Sequence, residues 1–119
     1  MQANPKVVAA LKEKGFASAE QALTGRTARV QGRSIRIGDV ALCSDGGDTL
    51  VGEIYWFAYV GSDFVVGLSA WPVMKICGRY RKVHVVENFS IIPSARLLQA
   101  MIFTPTEVGK VATIIVPTL

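Results

Sequence analysis

One histidine, His84, and two cysteines, Cys43 and Cys77, are the whole supply of imidazole and thiol in 119 residues. Any histidine-dependent mechanism must therefore run through His84. A Cys43–His84 or Cys77–His84 pair meets the residue-type requirement for thiol catalysis, but no motif surrounds either cysteine and no spacing brings them together. Two cysteines fit reduced core thiols better than a disulfide framework. Zinc needs three or four ligands, more than this inventory supplies in any recognisable spacing, so no metal site is expected. Asp45 and Asp48 flank Gly46-Gly47 without the alternating oxygen ligands of a calcium loop; acids and glycines in such a stretch serve the turn. There is no glycine-rich loop ending in lysine and no paired-carboxylate motif, so no cofactor is expected and the chain reads as non-enzymatic. No run of about 18 apolar residues is present, which excludes a membrane-spanning helix. The first residues, Met1-Gln2-Ala3-Asn4-Pro5, have neither the basic region nor the apolar run of a signal peptide, so an intracellular protein, cytoplasmic or nuclear, is expected.

What is abundant is strand chemistry. Val51 to Val60 and Asp63 to Trp71 are dominated by β-branched and aromatic residues, and Gly61-Ser62 between them suits a two-residue hairpin turn with glycine at positive φ. That turn sets a register with Val60 opposite Asp63, Tyr59 opposite Phe64, Phe57 opposite Val66 and Tyr55 opposite Leu68. Tyr55, Phe57, Tyr59, Phe64, Val66 and Leu68 form the expected core face. The other face carries Ile54, Trp56, Ala58, Val65, Gly67 and Ser69, with Trp56 lying over the gap left by Gly67.

Around this hairpin the chain reads as one domain over residues 1–119, with a helical cap over 1–24 and strands over 26–116. Asn4 caps a helix with Pro5 in its first turn, Val7, Val8 and Leu11 form its apolar stripe, and Gly15 stops it. Ser18 caps a second short helix, Ala19 to Leu23, ended by Gly25. Arg26 to Gln31 and Ser34 to Ile37 alternate with period two around Gly32-Arg33, so the arginines are expected on an outward face. Val40 to Cys43 is a short apolar strand, and residues 44 to 48 form a turn. Val73 to Tyr80 is a connection of mixed character, Arg81 to Val86 a strand, Glu87-Asn88 a turn and Phe89 to Ile92 a strand. Ser94 to Met101 has helical composition with Ser94 as its cap, or stays extended. Residues 104 to 109 form a loop, and Lys110 to Val116 a closing strand ended by Pro117. Six to eight short strands with tight turns and a helical start predict a mainly β chain, a small SH3-like β-barrel.

The feature order Ile37-Gly38-Asp39-Val40-Ala41-Leu42, a polar turn, Val51-Gly52-Glu53-Ile54 and an aromatic hairpin ending at Trp71 resembles the opening of SH3-like barrels, in particular bromo-adjacent homology domains. Val86-Glu87-Asn88-Phe89-Ser90-Ile91-Ile92-Pro93 is similar to that family's turn into a "V/I-P" segment. The resemblance covers roughly residues 35 to 103. Pro72-Val73-Met74-Lys75 stands where the family has an aromatic-acidic segment. The resemblance implies a chromatin-associated or protein-interaction module without catalysis of its own.

Charge is uneven along a chain of net charge +4. Arg26, Arg29, Arg33 and Arg36 fall within eleven residues that include no acid, and Lys75, Arg79, Arg81 and Lys82 form a second basic run beside His84. Such runs attract phosphate or an acidic protein segment, and they also shield strand edges. The expected ligand-binding residues are Arg26, Arg29, Arg33 and Arg36 first, Arg79, Arg81 and Lys82 second, with Trp56 as an aromatic platform near Tyr80 and Trp71. Half of the residues are hydrophobic, which raises two alternatives: a structural subunit that forms homo-oligomers through the apolar sheet face bearing Trp56, and a small Cys/His-dependent enzyme.

Overall fold

Asparagine before proline is a strong helix start, because the amide oxygen accepts an orphan backbone N–H and proline has none to lose. In the computed structural model, which describes residues 1–30, 32–103 and 108–116, helix α1 (Pro5–Lys14) begins this way. The Val7 backbone N–H donates to Asn4 Oδ1 at 3.0 Å. At the other end Gly15 takes a left-handed φ of 100° and returns its N–H to the Lys12 carbonyl. The second expected helix shrinks to a single 3₁₀ turn, Ala19–Gln21, and Ser18 makes no side-chain cap. Leu23 and Gly25 belong instead to strand β1 (Leu23–Gly25), which pairs with the far end of the long central strand.

That central strand, β5 (Asp48–Val60), runs through the largest sheet. Its flanking strands are β4 (Val40–Asp45), β6 (Asp63–Trp71), β9 (Phe89–Pro93) and β10 (Leu97–Ala100), in the order β10-β4-β5-β6-β9, with β1 added to β5. A second sheet has the order β11-β12-β8-β7, from β7 (Val73–Cys77), β8 (Tyr80–His84), β11 (Ile102–Phe103) and β12 (Val111–Ile115). Strands β2 (Thr27–Val30) and β3 (Arg33–Arg36) form a separate two-stranded ribbon. The expectation of a mainly β chain with a helical start holds. The strands pair as three open sheets, and no ladder among the described residues closes them into one barrel.

Among the described residues there are twelve strands, more than the expected six to eight, because stretches read as connections are strands. Ser44 and Asp45 extend β4 and Asp48 begins β5, so the expected turn narrows to Gly46-Gly47 beyond the pair Asp45–Asp48. Val73 to Tyr80 is strand β7, a Gly78-Arg79 turn and the start of β8. Strand β8 stops at His84 rather than Val86. Ser94 to Met101 is one 3₁₀ turn, Ser94–Arg96, followed by β10 (Leu97–Ala100), so its extended alternative is realised over half of its length. The portions of the expected elements on Gln31, on residues 104 to 107 and on Pro117 lie outside the described residues.

The hairpin register runs as expected from Val60–Asp63 to Trp56–Gly67, then shifts. Ile54, not Tyr55, stands opposite Leu68, so Tyr55 is the extra residue of a β-bulge. Tyr55 leaves the core face and is 38% exposed, while Ile54 joins that face and is buried. Trp56 does lie over Gly67, as the sequence predicts: a methyl group on Gly67 would stand 2.2 Å from Trp56 Cε2.

Three apolar clusters share β5. On one face of the large sheet, Ala41, Cys43, Ile54, Phe57, Val66, Leu68 and Ile92 pack against Ala28 and Ile35 of the ribbon. The opposite face is covered twice. Near the start of β5, Val40, Leu42, Val51 and Trp71 meet Val83, Ala112 and Ile114 of the second sheet. Near its end, Ala58, Val60, Val65 and Ile91 meet Val7 and Leu11 of α1, with Trp56 packed alongside. The apolar face bearing Trp56, expected as an oligomer surface, is thus covered by the chain's own helix.

Candidate functional site

The ribbon β2–β3 is built by alternation. Its register pairs Thr27 with Arg36, Ala28 with Ile35, Arg29 with Ser34 and Val30 with Arg33. Ala28 and Ile35 point into the core, and both are buried. Thr27, Arg29, Ser34 and Arg36 therefore share the outward face, a strip of hydroxyls and guanidiniums. All four are exposed. Arg33 follows the parity of Ile35 and so takes the other side at the ribbon tip, exposed, which corrects the expectation that all these arginines share one face. Arg26 precedes the ribbon and lines, with Thr27, Arg36 and Ile37, an open hollow of about 570 Å³.

Local bonds fix this strip. The Arg29 guanidinium donates to the Gly32 carbonyl at 3.2 Å. The Arg36 backbone N–H donates to Asp39 Oδ2 at 2.8 Å, fastening the ribbon's exit to the turn before β4. Among the described residues the ion pair present is Lys12–Glu20, so no carboxylate neutralises the guanidiniums of Arg26, Arg29, Arg33 or Arg36.

The second basic run is divided by the same alternation. Lys82 lies on the outer face of the second sheet, opposite Lys75 of β7 and Thr113 of β12. Arg81 has the parity of the buried Ile114 and turns back on the hairpin, donating to the Gly78 carbonyl at 2.7 Å and the Tyr80 carbonyl at 3.1 Å. Arg79 sits in the turn, where its carbonyl accepts from the Val116 N–H. The ribbon and the second sheet pack on opposite faces of the large sheet, so the two basic groups do not form one surface.

The expected aromatic platform is not assembled either. Trp71 is buried in the cluster between the sheets, Tyr80 faces outward on the second sheet, and Trp56 lies against the helix side. The bulge makes a different aromatic group. Phe89 lies near-parallel to Tyr55, with ring centroids 6.4 Å apart, and tilted against Trp56 at 5.9 Å.

No known family model, no curated protein and no solved structure matches this chain.

The thiols and the imidazole are kept apart. Cys43 belongs to the cluster under the ribbon, and burial pushes its thiol up to about 12. His84 lies on the second sheet, across the large sheet from it. Cys77 pairs with Tyr80, four residues along β8 from His84, about 13 Å at strand rise. No group of three or more His, Cys, Asp or Glu side chains suited to a metal occurs among the described residues, and no helix among them is long and apolar enough to cross a membrane.

Among the described residues Glu53 is the carboxylate whose surroundings oppose its charge. It stands between Val40 and Ser69 in the sheet, and burial raises its pKa above the usual value. The buried Ser69 beside it is satisfied, donating to the Val86 carbonyl at 2.7 Å and accepting from the Asn88 N–H at 3.0 Å. An acid with a raised folded pKa binds more protons folded than unfolded, so its penalty appears as pH rises through that window and is absent below the unfolded value. Glu53→Gln is therefore expected to melt higher than the wild type at pH 7, with the difference vanishing near pH 4. Thermal melts across that range check it, and a variant that melts lower at pH 7 contradicts it.

Sequence reasoning missed Thr27, Ser34 and Thr113, and it placed Lys75 in the second basic run without counting it among the expected contacts. Thr27 and Ser34 could have been found by following the alternation of Arg29 and Arg36. Lys75 and Thr113 could not, because their neighbourhood depends on which strands β8 pairs with.

Proposed function

We propose that this chain is a non-enzymatic interaction module that binds nucleic acid through the outer face of the ribbon β2–β3. The observation that carries the reading is the strip Thr27, Arg29, Ser34 and Arg36 on a two-stranded ribbon whose inner face is locked into the core. A two-stranded ribbon fits the major groove, and guanidiniums with hydroxyls serve both phosphates and base edges. Arg26 beside the strip, together with the absence of neutralising carboxylates among the described residues, supports an anionic polymer. An acidic protein segment is the competing anion, and competition by a polyglutamate peptide separates the two. Kinship with SH3-like modules of the bromo-adjacent homology type belongs to the same reading; its support is the Gly38-Asp39 turn leading into the β4–β5–β6 meander that ends at Trp71.

Each phosphate contact adds about 0.9 to the slope of log affinity against log salt on duplex DNA. The double variant Arg29→Ala/Arg36→Ala is expected to bind a mixed-sequence duplex more weakly and to lower that slope by about 2. Fluorescence anisotropy over a salt series measures both. Affinity and slope equal to the wild type would remove the ribbon from consideration.

A further inference from the structure

The outer face of the second sheet holds a small basic hollow. Lys75 of β7 and Lys82 of β8 stand directly opposite each other, and Cys77 stands opposite Tyr80 one step along the same face. Thr113 of β12 flanks Lys82 on its other side. These five side chains line one pocket of about 240 Å³ with no acid among them. The sheet is held from behind by Val83, Ala112 and Ile114, so the pocket floor is fixed.

Two like charges opposite each other on an antiparallel ladder are unfavourable, and an anion bridging both ammoniums reverses the sign of that interaction. Neither lysine has a carboxylate partner among the described residues. The Thr113 hydroxyl is a neutral donor beside Lys82. Tyr80 is 52% exposed and lies two residues from Lys82 on the same face, about 7 Å along the strand. That spacing puts a flat ring surface one sugar's length from a phosphate held at the lysines. The volume is below the usual range for a drug-sized ligand and suits a phosphate with part of a sugar, the rest lying over Tyr80.

We propose that this pocket binds a single nucleotide unit, its phosphate between Lys75 and Lys82 and its base on the Tyr80 ring. It stands apart from the ribbon, on the other side of the large sheet, and does not depend on the ribbon's role.

Cys77 makes the site measurable. It is exposed, whereas Cys43 is buried with a thiol pushed up to about 12, so neutral iodoacetamide should alkylate only Cys77 in the folded protein and both cysteines in denaturant. A bound phosphate covers the thiol, so uridine 5′-monophosphate should slow alkylation, and at lower concentration than inorganic phosphate does. Loss of one charge-assisted contact in Lys82→Gln should raise the protecting concentration about tenfold. Tyr80→Leu should keep protection by inorganic phosphate and lose the advantage of the nucleotide. Arg29→Ala/Arg36→Ala should leave protection unchanged, which separates a failure here from a failure of the ribbon. The proposal is overturned if neither anion protects, if sodium chloride at equal ionic strength protects as well, or if the nucleotide is no better than phosphate.

Discussion

Gly67→Ala is expected to destabilise the fold by about 3 kcal/mol, the upper end of the usual overpacking cost. A methyl group there would meet Trp56 Cε2, Cζ2 and Cδ2 at 2.2, 2.5 and 2.7 Å. Carbon atoms settle at about 3.5–4.0 Å, so the indole would have to move by more than an ångström. It has little room, because it is packed beside the cluster that holds α1 to the sheet. Trp56→Leu alone should cost about 2 kcal/mol through lost burial. The double variant should fall near Trp56→Leu alone, since the clash disappears with the indole. Urea denaturation of all four proteins measures the coupling. Effects that add to within about 0.5 kcal/mol would show that Gly67 is not there to seat the tryptophan.

Ile35→Ala should have a comparable effect on stability and should carry binding with it. Ile35 is fully buried, and its partner across the ribbon, Ala28, offers only a methyl group. Truncating a buried isoleucine to alanine costs about 2–5 kcal/mol. An isolated two-stranded hairpin is marginal in water, so the ribbon depends on this anchor for its shape. Duplex affinity is therefore expected to fall in Ile35→Ala although no proposed contact has changed, while Ile35→Val retains it. Denaturation and anisotropy on the same samples decide. Wild-type affinity in a destabilised Ile35→Ala would mean that binding does not need the ordered ribbon.

The parts of the fold legible from sequence are those fixed by neighbours along the chain. Asn4-Pro5 and Gly15 state the bounds of α1, Gly61-Ser62 states the turn, and the pairing of Trp56 with Gly67 follows by counting from it. Counting fails at Tyr55 because Ile54-Tyr55-Trp56-Phe57 is apolar throughout, so alternation leaves no mark of the residue that drops out of the ladder. Strand β7 was hidden for a related reason. Pro72, Lys75 and Gly78 break the pattern, and what holds Val73–Cys77 extended is β8, which follows it. Of the candidate site, the arginine content of the ribbon was plain from sequence. Its division into an outward pair, a tip residue and a flanking residue required the register, and its separation from Lys82 required knowing which face each sheet covers.

Because β5 is a wall of all three apolar clusters, they cannot melt one at a time. Opening the helix side exposes Ala58 and Val60, opening the second sheet exposes Val51, and opening the ribbon side exposes Ile54 and Phe57, all on one continuous strand. Amide protons in the middle of β5 thus exchange with solvent only when the whole molecule unfolds. Among the described residues the ribbon touches one of the clusters and pairs within itself, so its amides exchange through a cheaper, sub-global opening. The segment proposed to grip a partner is also the one that can loosen without the rest.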